Sequence, residues 1–565
     1  MTFGGTALPA VAKTYEALPF AVVDGTTRVE VAYDWTELLP PAGAAPASSV
    51  DRSTFDLGLW DQRGIGQAEA FRGWSGSRGG RVSSGQEPVF VQQDEAARGY
   101  VPAPIEAGTW TVDLGIAALS PGGADWVVTV TCSAPAVGDP FVPRPVDPDL
   151  VLSTEPGWYH ADFHVHAFHS NPEAPTWDDA VTAAAARGID VVFATEYVTG
   201  QHWAELGPVQ DAHPDVLVVP GREIITYFGH ANALGPTPSA LDHRHGAPGV
   251  SLADIQVATV ADGALFQVNH PTIFPEAEFG SLCRGCDFTL DDVIDWDLVT
   301  TYEVLNGPVD SGGDAPTESP FVQTSLDEWQ SLLLDGHRLT AVSGSDSKGV
   351  EPNDAERQRA GYGSSATAIR AESLSRRGIE EALVAGRAYI RTRGVDRSPE
   401  VDVALAAAGG LTGTLGDSVP TDAATLTVIV VGGTGQQVVV TADGEPVGAP
   451  LTVDADPFTA RVDITRSAAS GPLGTFVRVD TIDRGVHTTI GNPVYLVAPG
   501  TGATTTITTA PPATSTTTEV AAPGGDGDDD GGDGVPAAVL AAVVLGVLVA
   551  AGVLVSRTRA AGPGR

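Results

Sequence analysis

The sequence predicts a multidomain α/β plus β protein. A central unit of alternating strands and helices is flanked by N-terminal and C-terminal β-sandwich domains, and a C-terminal transmembrane helix follows. Three observations carry this. Residues 13–148 and 399–497 alternate apolar and polar residues between Gly, Ser and Pro turns. Residues 155–395 alternate strand-like with helical runs, the pattern of a parallel sheet or barrel. Val535–Val555 is apolar and carries no charge. The length of 565 residues suits about three or four domains, and 42% hydrophobic residues suffice for several cores.

The elements follow in order. Ala10-Val11-Ala12 has the form of a signal-peptidase site, so residues 1–12 are expected to be the remnant of a signal peptide. In the first sandwich, Val29–Tyr33, Thr54–Trp60, Gly108–Gly115 and Asp125–Cys132 read as half-buried strands. Phe141–Val151 is a Pro-rich linker. In the central unit, Val191–Thr195, Val216–Pro220, Ala264–Val268, Val299–Leu305 and Leu339–Ser343 are strands. Trp177–Arg187 is a helix stopped by Gly188. Thr425–Val431 and Thr475–Asp480 are strands of the second sandwich. Residues 500–534, rich first in Thr and Pro and then in Gly and Asp, form an extended stalk. At 1.5 Å per residue, Val535–Val555 spans about 30 Å. Arg557, Arg559 and Arg565 place the tail, 556–565, in the cytoplasm. The expectation is a single-pass cell-membrane protein with its large domain outside the cytoplasm.

A net charge of −40 argues against nucleic acid as a partner. Lysine occurs only at Lys13 and Lys348, against 29 arginines, so each lysine stands out. Of 12 histidines, only His487 lies outside the window His160–His337. Cys283-Arg-Gly-Cys286 lacks the second pair a zinc site needs, so a small loop disulfide is expected. Cys132 reads as a buried small hydrophobe on a strand.

The central unit repeats one arrangement, a hydrophobic strand closed by a metal-type ligand. His164 and His166 are two apart on a strand and share a face. Val216–Pro220 leads to Gly221-Arg222-Glu223, and Phe228-Gly229-His230-Ala231-Asn232 follows. Ala264–Val268 leads to Asn269-His270-Pro271, and Leu339–Ser343 to Gly344-Ser345-Asp346-Ser347-Lys348. Imidazole with carboxylate suits zinc, manganese or iron. His169 is open between weak ligand, proton shuttle and solvent-facing residue. His243 and His245 read as a loop at the site rim, and His202, His213 and His337 as surface residues.

The ordered motifs HxHxxxS, GxE, GHxN, NHP, Tyr302-Glu-Val-Leu-Asn-Gly307 and GSDS resemble the PHP (polymerase and histidinol phosphatase) metallohydrolases, most closely the exported branch similar to bacterial carbaryl hydrolases. The likeness runs from about Tyr159 to Arg393. It implies a distorted (β/α)7 barrel with metals at the C-terminal strand ends. It also implies that His164, His166, Glu223 and Asp346 hold one ion, with Glu223 bridging to a second on His230 and His270. Glu303 and Asn269 would sit behind the ligands and fix them. Two departures stand out. The family's T-D-H is Thr195-Glu196-Tyr197 here, and its S-D-S-H is Ser345-Asp346-Ser347-Lys348. Both missing histidines belong to the third metal position, so two ions are expected, with Lys348 near the third place.

The function expected is hydrolysis of a phosphoester, or of a carboxyl ester or carbamate, by metal-bound hydroxide. Lys348, Tyr197 and His169 are its candidate catalytic residues. The substrate would be a small-molecule or envelope-derived ester. The competing expectation is a catalytically degenerate surface binding or adhesion protein with a structural metal. Oligomeric state is not legible.

Overall fold

The computed structural model describes residues 1–40, 52–76, 78–79, 88–172, 174–235, 241–279, 285–313, 315–349 and 361–500. The stalk, Val535–Val555 and the tail lie outside them. Among the described residues no helix is long and apolar enough to cross a membrane. The chain is multidomain and mostly sheet, with few helices.

Two antiparallel sheets form the N-terminal sandwich. One pairs Thr2–Ala7, Ala124–Ser133, Arg28–Glu37 and Val89–Val91. Its central strands bury every second residue, and Val29, Val31, Tyr33 and Trp35 enter the core. Thr2–Ala7 is an edge strand hydrogen-bonded to residues 124–129, and Ala7 is buried. The other sheet pairs Thr14–Val22, Gly108–Ala118, Thr54–Trp60 and Phe71–Trp74. Strand Thr54–Trp60 is buried throughout instead of alternating. Phe55, Leu57 and Leu59 face the sandwich core, while Trp60 packs with Phe71, Trp74, Val198 and Ile225 against the central unit.

In the central sheet the order is Thr340–Gly344, Val299–Asn306, Leu265–Asn269, His230–Leu234, Leu217–Ile225, Val191–Ala194, Gly157–Val165, Ala366–Ala371 and Ala388–Arg391. The sheet is mixed. His230–Leu234 runs antiparallel to both neighbours, and Ala366–Ala371 runs antiparallel to both of its own. The first and last parallel strands meet through the Val165–Ser347 bridge, so the sheet curls back on itself.

Helices cover the outside. Thr176 caps Trp177–Ala185 by accepting from Asp179 N, and Gly188, at φ 79°, turns the chain back. Pro320–Asp335 opens on proline and ends at Gly336, at φ 107°.

The sheet does not stop at residue 395. Ala388–Arg391 pairs with Val486–Gly491, which continues into Thr475–Asp483 and Gln437–Ala442. A second sheet of Glu400–Ala407, Ala423–Val431, Phe458–Thr465 and Thr412–Gly413 packs over these strands around Val403, Leu426, Val428 and Val479. The C-terminal layers thus share backbone hydrogen bonds with the central unit.

Candidate metal centre

His164 and His166 stand at the C-terminal end of Gly157–Val165, and both are fully buried. Glu223 reaches between them from Leu217–Ile225, its Oε2 3.3 Å from His164 Nε2 and 3.3 Å from His166 Nε2. Asp346 follows Thr340–Gly344, and its Oδ1 lies 3.0 Å from His166 Nε2 and 3.6 Å from His164 Nε2. Its left-handed backbone, φ 46°, turns the carboxylate inward, and its amide donates to His164 O at 2.8 Å. On the other side of Glu223, Oε1 lies 3.2 Å from His230 Nδ1 and 3.4 Å from His270 Nε2. The two oxygens of one carboxylate therefore face two pairs of imidazoles.

The donor set fits metal. His164 Nε2, His166 Nε2 and Glu223 Oε2 are buried and have no hydrogen-bond partner. Such orphaned groups are costly unless something else binds them. Ligands held tetrahedrally at about 2.1 Å lie about 3.4 Å apart, the spacing seen here. His164, His166 and Asp346 form one group able to hold an ion, and His164, Glu223 and His270 another. His230, His270 and Cys286 also converge. Cys286 is in a disulfide, however, and so presents no thiolate. Its expected partner, Cys283, lies outside the described residues. Cys132 is free and only partly buried.

Charge points the same way. Burial alone would depress the His164 pKa, but Glu223, Glu303 and Asp346 raise it well above its usual value. For Glu223 burial works upward, and the charge of His164, with the imidazoles of His166 and His230 close by, overrides it and holds the carboxyl well below its usual range. Asp346 is likewise pushed up by burial and pulled well down by Lys348 and His164. Three carboxylates around one imidazole demand a cation, a proton or a metal ion.

Supporting residues hold the ring nitrogens turned away from this point. Glu303 lies 3.2 Å from His164 Nδ1 and accepts from His270 N at 2.8 Å. Asn269 donates to Glu223 Oε1 at 3.3 Å and to Asn232 Oδ1 at 2.9 Å. Ser170 Oγ is 3.0 Å from His166 Nδ1. The sequence reading missed Glu196 and Asp162. Glu196 accepts from the amides of Ala167, His169 and Ser170 and from the Ser170 hydroxyl. Its lone pairs are spent on that turn. Asp162 accepts from Ser345 N at 2.9 Å and Gly363 N at 2.9 Å, anchoring the loop that carries Asp346.

The candidate catalytic residues divide. Lys348 Nζ is 2.6 Å from Asp346 Oδ1 and 5.5 Å from the centre of the Tyr197 ring. Burial opposes its charge, but Asp346 and Tyr197 raise its pKa. Tyr197 packs 4.4 Å from the His166 ring, and burial raises its hydroxyl pKa. His169 turns away and pairs with Glu205 at 2.9 Å, so it is not brought to the centre.

Among the remaining histidines, two depart from expectation. His202 is fully buried rather than on the surface, its Nε2 2.8 Å from Gly221 O and 3.2 Å from Ala194 O. His243 is buried among Tyr15, Phe71 and Trp74 rather than at a rim. His213 pairs with Asp178 and His337 lies near Asp297, both partly exposed.

No protein-family model matches the chain, and no curated protein matches it. Among solved structures it is similar to a two-domain protein from Bacteroides vulgatus ATCC 8482, described as containing a predicted PHP-like metal-dependent phosphoesterase. That likeness has a TM-score of 0.32 at 17% identity, over 64% of this chain and 97% of that one.

Proposed function

We propose that this chain is a metal-dependent hydrolase of phosphoesters, with carboxyl esters or carbamates as the alternative substrate class. We place it on the outer side of a cell membrane, anchored through Val535–Val555. The observation that carries the hydrolase reading is the convergence of three buried, unpartnered donors, His164 Nε2, His166 Nε2 and Glu223 Oε2. Two divalent ions, zinc, manganese or iron, would be held by His164, His166 and Asp346 and by His230 and His270, with Glu223 between them. Such ions supply Lewis acidity and an acidified water to an ester.

The protein's own residues do the rest. Glu303 and Ser170 fix the tautomer and orientation of His164 and His166. Lys348 keeps Asp346 ionised and presents an ammonium beside Tyr197, where a substrate oxyanion gains a charged hydrogen bond. That ammonium favours the phosphoester over the neutral ester. The place of a third ion is taken by Lys348, which occupies the flank of Asp346.

Metal content by plasma mass spectrometry tests this. The purified full chain is expected to carry about two equivalents and to hydrolyse an aryl phosphate. Glu223→Gln is expected to lose both, and Lys348→His to gain a metal equivalent. No metal after reconstitution with zinc, manganese or iron overturns the hydrolase reading. Stoichiometric metal without turnover of phosphoesters, carboxyl esters or carbamates favours the binding protein instead.

A further inference from the structure

A disulfide sulfur stands beside the second pair of imidazoles. Cys286 is disulfide-bonded, Cys132 is free, and Cys283 is the one other cysteine in the chain, so Cys283 is its partner. Cys286, His230 and His270 are all buried. The Cys286 sulfur and one ring nitrogen of each histidine lie within 4.8 Å of one another. Tetrahedral zinc, with nitrogen at about 2.1 Å and sulfur at about 2.3 Å, sets such donors about 3.6 Å apart. The difference is within the swing of a cysteine side chain about its Cα–Cβ bond.

The backbone holds Cys286 between the two segments that deliver the histidines. Before it, Gly285 runs against the hairpin that leads to His230. Its φ is 78°, and a Cβ there would meet Thr226 O at 2.3 Å and His230 Nε2 at 3.1 Å, so glycine is what lets the chain come this close. After it, Asp287 forms an antiparallel bridge with Thr272, and Phe288 N donates to Pro271 O at 2.8 Å. Those contacts tie the segment to the turn that follows His270. Thr289 N donates to Phe228 O at 2.7 Å and closes the frame on the hairpin side.

We propose that the reduced chain binds zinc through the Cys286 thiolate together with His230 and His270. Two imidazoles and the Glu223 carboxylate leave zinc one place for water, the arrangement of catalytic sites, whereas a thiolate in addition makes the closed set of a structural site. The disulfide therefore keeps the second ion's position open, and its reduction shuts it. The reductant is a dithiol. It breaks the S–S bond, delivers two electrons and two protons to the cysteine sulfurs, and closes into its own disulfide. The Cys286 proton passes to water as the sulfur binds zinc. The thiolate, a soft donor, also biases the position toward zinc over manganese. The consequence for turnover rests on the hydrolase reading, while the test reads sulfur ligation directly.

The test uses the full chain carrying Cys132→Ser, which removes the remaining thiol, and adds either Cys283→Ser or Cys286→Ser. Both of these lack the disulfide, so any loss of order near it is common to them, and only the first keeps the Cys286 sulfur. Cobalt(II) is the probe, because a thiolate bound to it gives a charge-transfer band in the near ultraviolet. The parent is expected to show the band only after reduction by a dithiol that is then removed under nitrogen. Cys283→Ser is expected to show it without reduction, and Cys286→Ser never. In competition with a chelating dye, Cys283→Ser is expected to hold zinc at least tenfold more tightly than Cys286→Ser, and to turn over an aryl phosphate at least tenfold more slowly. Equal zinc affinity in the two variants, with no band in either, overturns the thiolate site. Two metal equivalents and equal turnover in the oxidised and reduced parent overturn it as well and leave the hydrolase reading intact. An oxidised parent that holds no metal, beside a Cys283→Ser chain that shows the band, sinks the hydrolase reading and leaves the thiolate site standing.

Discussion

Glu303 accepts two tasks, orienting His164 through Nδ1 and fixing the backbone amide of His270. Replacing it by glutamine keeps its shape and removes its charge. Removing such a supporting carboxylate typically costs about 10–100-fold in metal affinity, so Glu303→Gln is expected to lose metal to a chelator in that range while its melting temperature stays close to that of the wild type. Unchanged affinity would show Glu303 to be mere packing. At this scale the sequence was partly readable. His164 and His166 show themselves because the two-residue strand period puts them on one face. Glu223, His230, His270 and Asp346 stand out as ligand-type residues beside apolar strands. Glu196 does not, because its partners are backbone amides of a turn, which no residue pattern reveals. His202 looked exposed in its polar stretch, yet two carbonyls from different strands take its ring N–H, a contact that only the folded sheet creates. His169 had no readable partner until Glu205 came beside it.

Elements bring these residues together by their ends, and the tightest point is Gly344. A Cβ there would meet His164 Cβ at 2.2 Å and Glu303 Oε1 at 2.3 Å. Overpacking of this kind costs about 1–3 kcal/mol, and here the strain falls on a ligand and its support. Gly344→Ala is expected to purify with less metal and a lower melting temperature. Full metal content in the variant would mean that the strand end has more freedom than its packing indicates. Strand positions were largely legible, since Thr54–Trp60 reads from its alternation and Val299–Leu305 from its apolar run, against the observed Thr54–Trp60 and Val299–Asn306. Strand direction was less so. Only residues 226–229 separate Leu217–Ile225 from His230–Leu234, too few for a crossover, so the pair must be an antiparallel hairpin. The GHxN motif hides that strand, because its ligand role drew attention away from Ala231 and Ala233, which are buried on the opposite face. The full burial of Thr54–Trp60 also escaped the alternation rule, since its polar face is covered by another domain.

That covering makes the whole molecule more than a central unit with appendages. The N-terminal sandwich lends Trp74 to the packing around Tyr197, with ring centres 6.2 Å apart, and Arg98 donates to His169 O at 2.8 Å. Between the layers lies a buried polar cluster. Asp56 accepts from Trp74 Nε1 at 2.9 Å and Tyr227 OH at 2.6 Å, and Asp113 sits 3.5 Å from Arg244, whose bidentate partner is Asp242. Burial drives the Asp113 pKa up from 3.8 to about 7, only partly offset by Arg244. The sign follows from proton counting. Between these two values the folded chain holds a proton on Asp113 that the unfolded chain has released, so stability falls as pH rises through that window. The stabilisation is complete below about pH 4 and lost above about pH 7, and at 1.36 kcal/mol per pKa unit it is on the order of 4 kcal/mol. Asparagine fills the same space and cannot ionise. Asp113→Asn is therefore expected to melt close to the wild type at pH 4 and well above it at pH 8, measured by calorimetry at matched ionic strength. Parallel melting curves against pH for the two proteins would show that Arg244 already holds Asp113 ionised, and that the two layers are joined by an ion pair rather than by a shared proton.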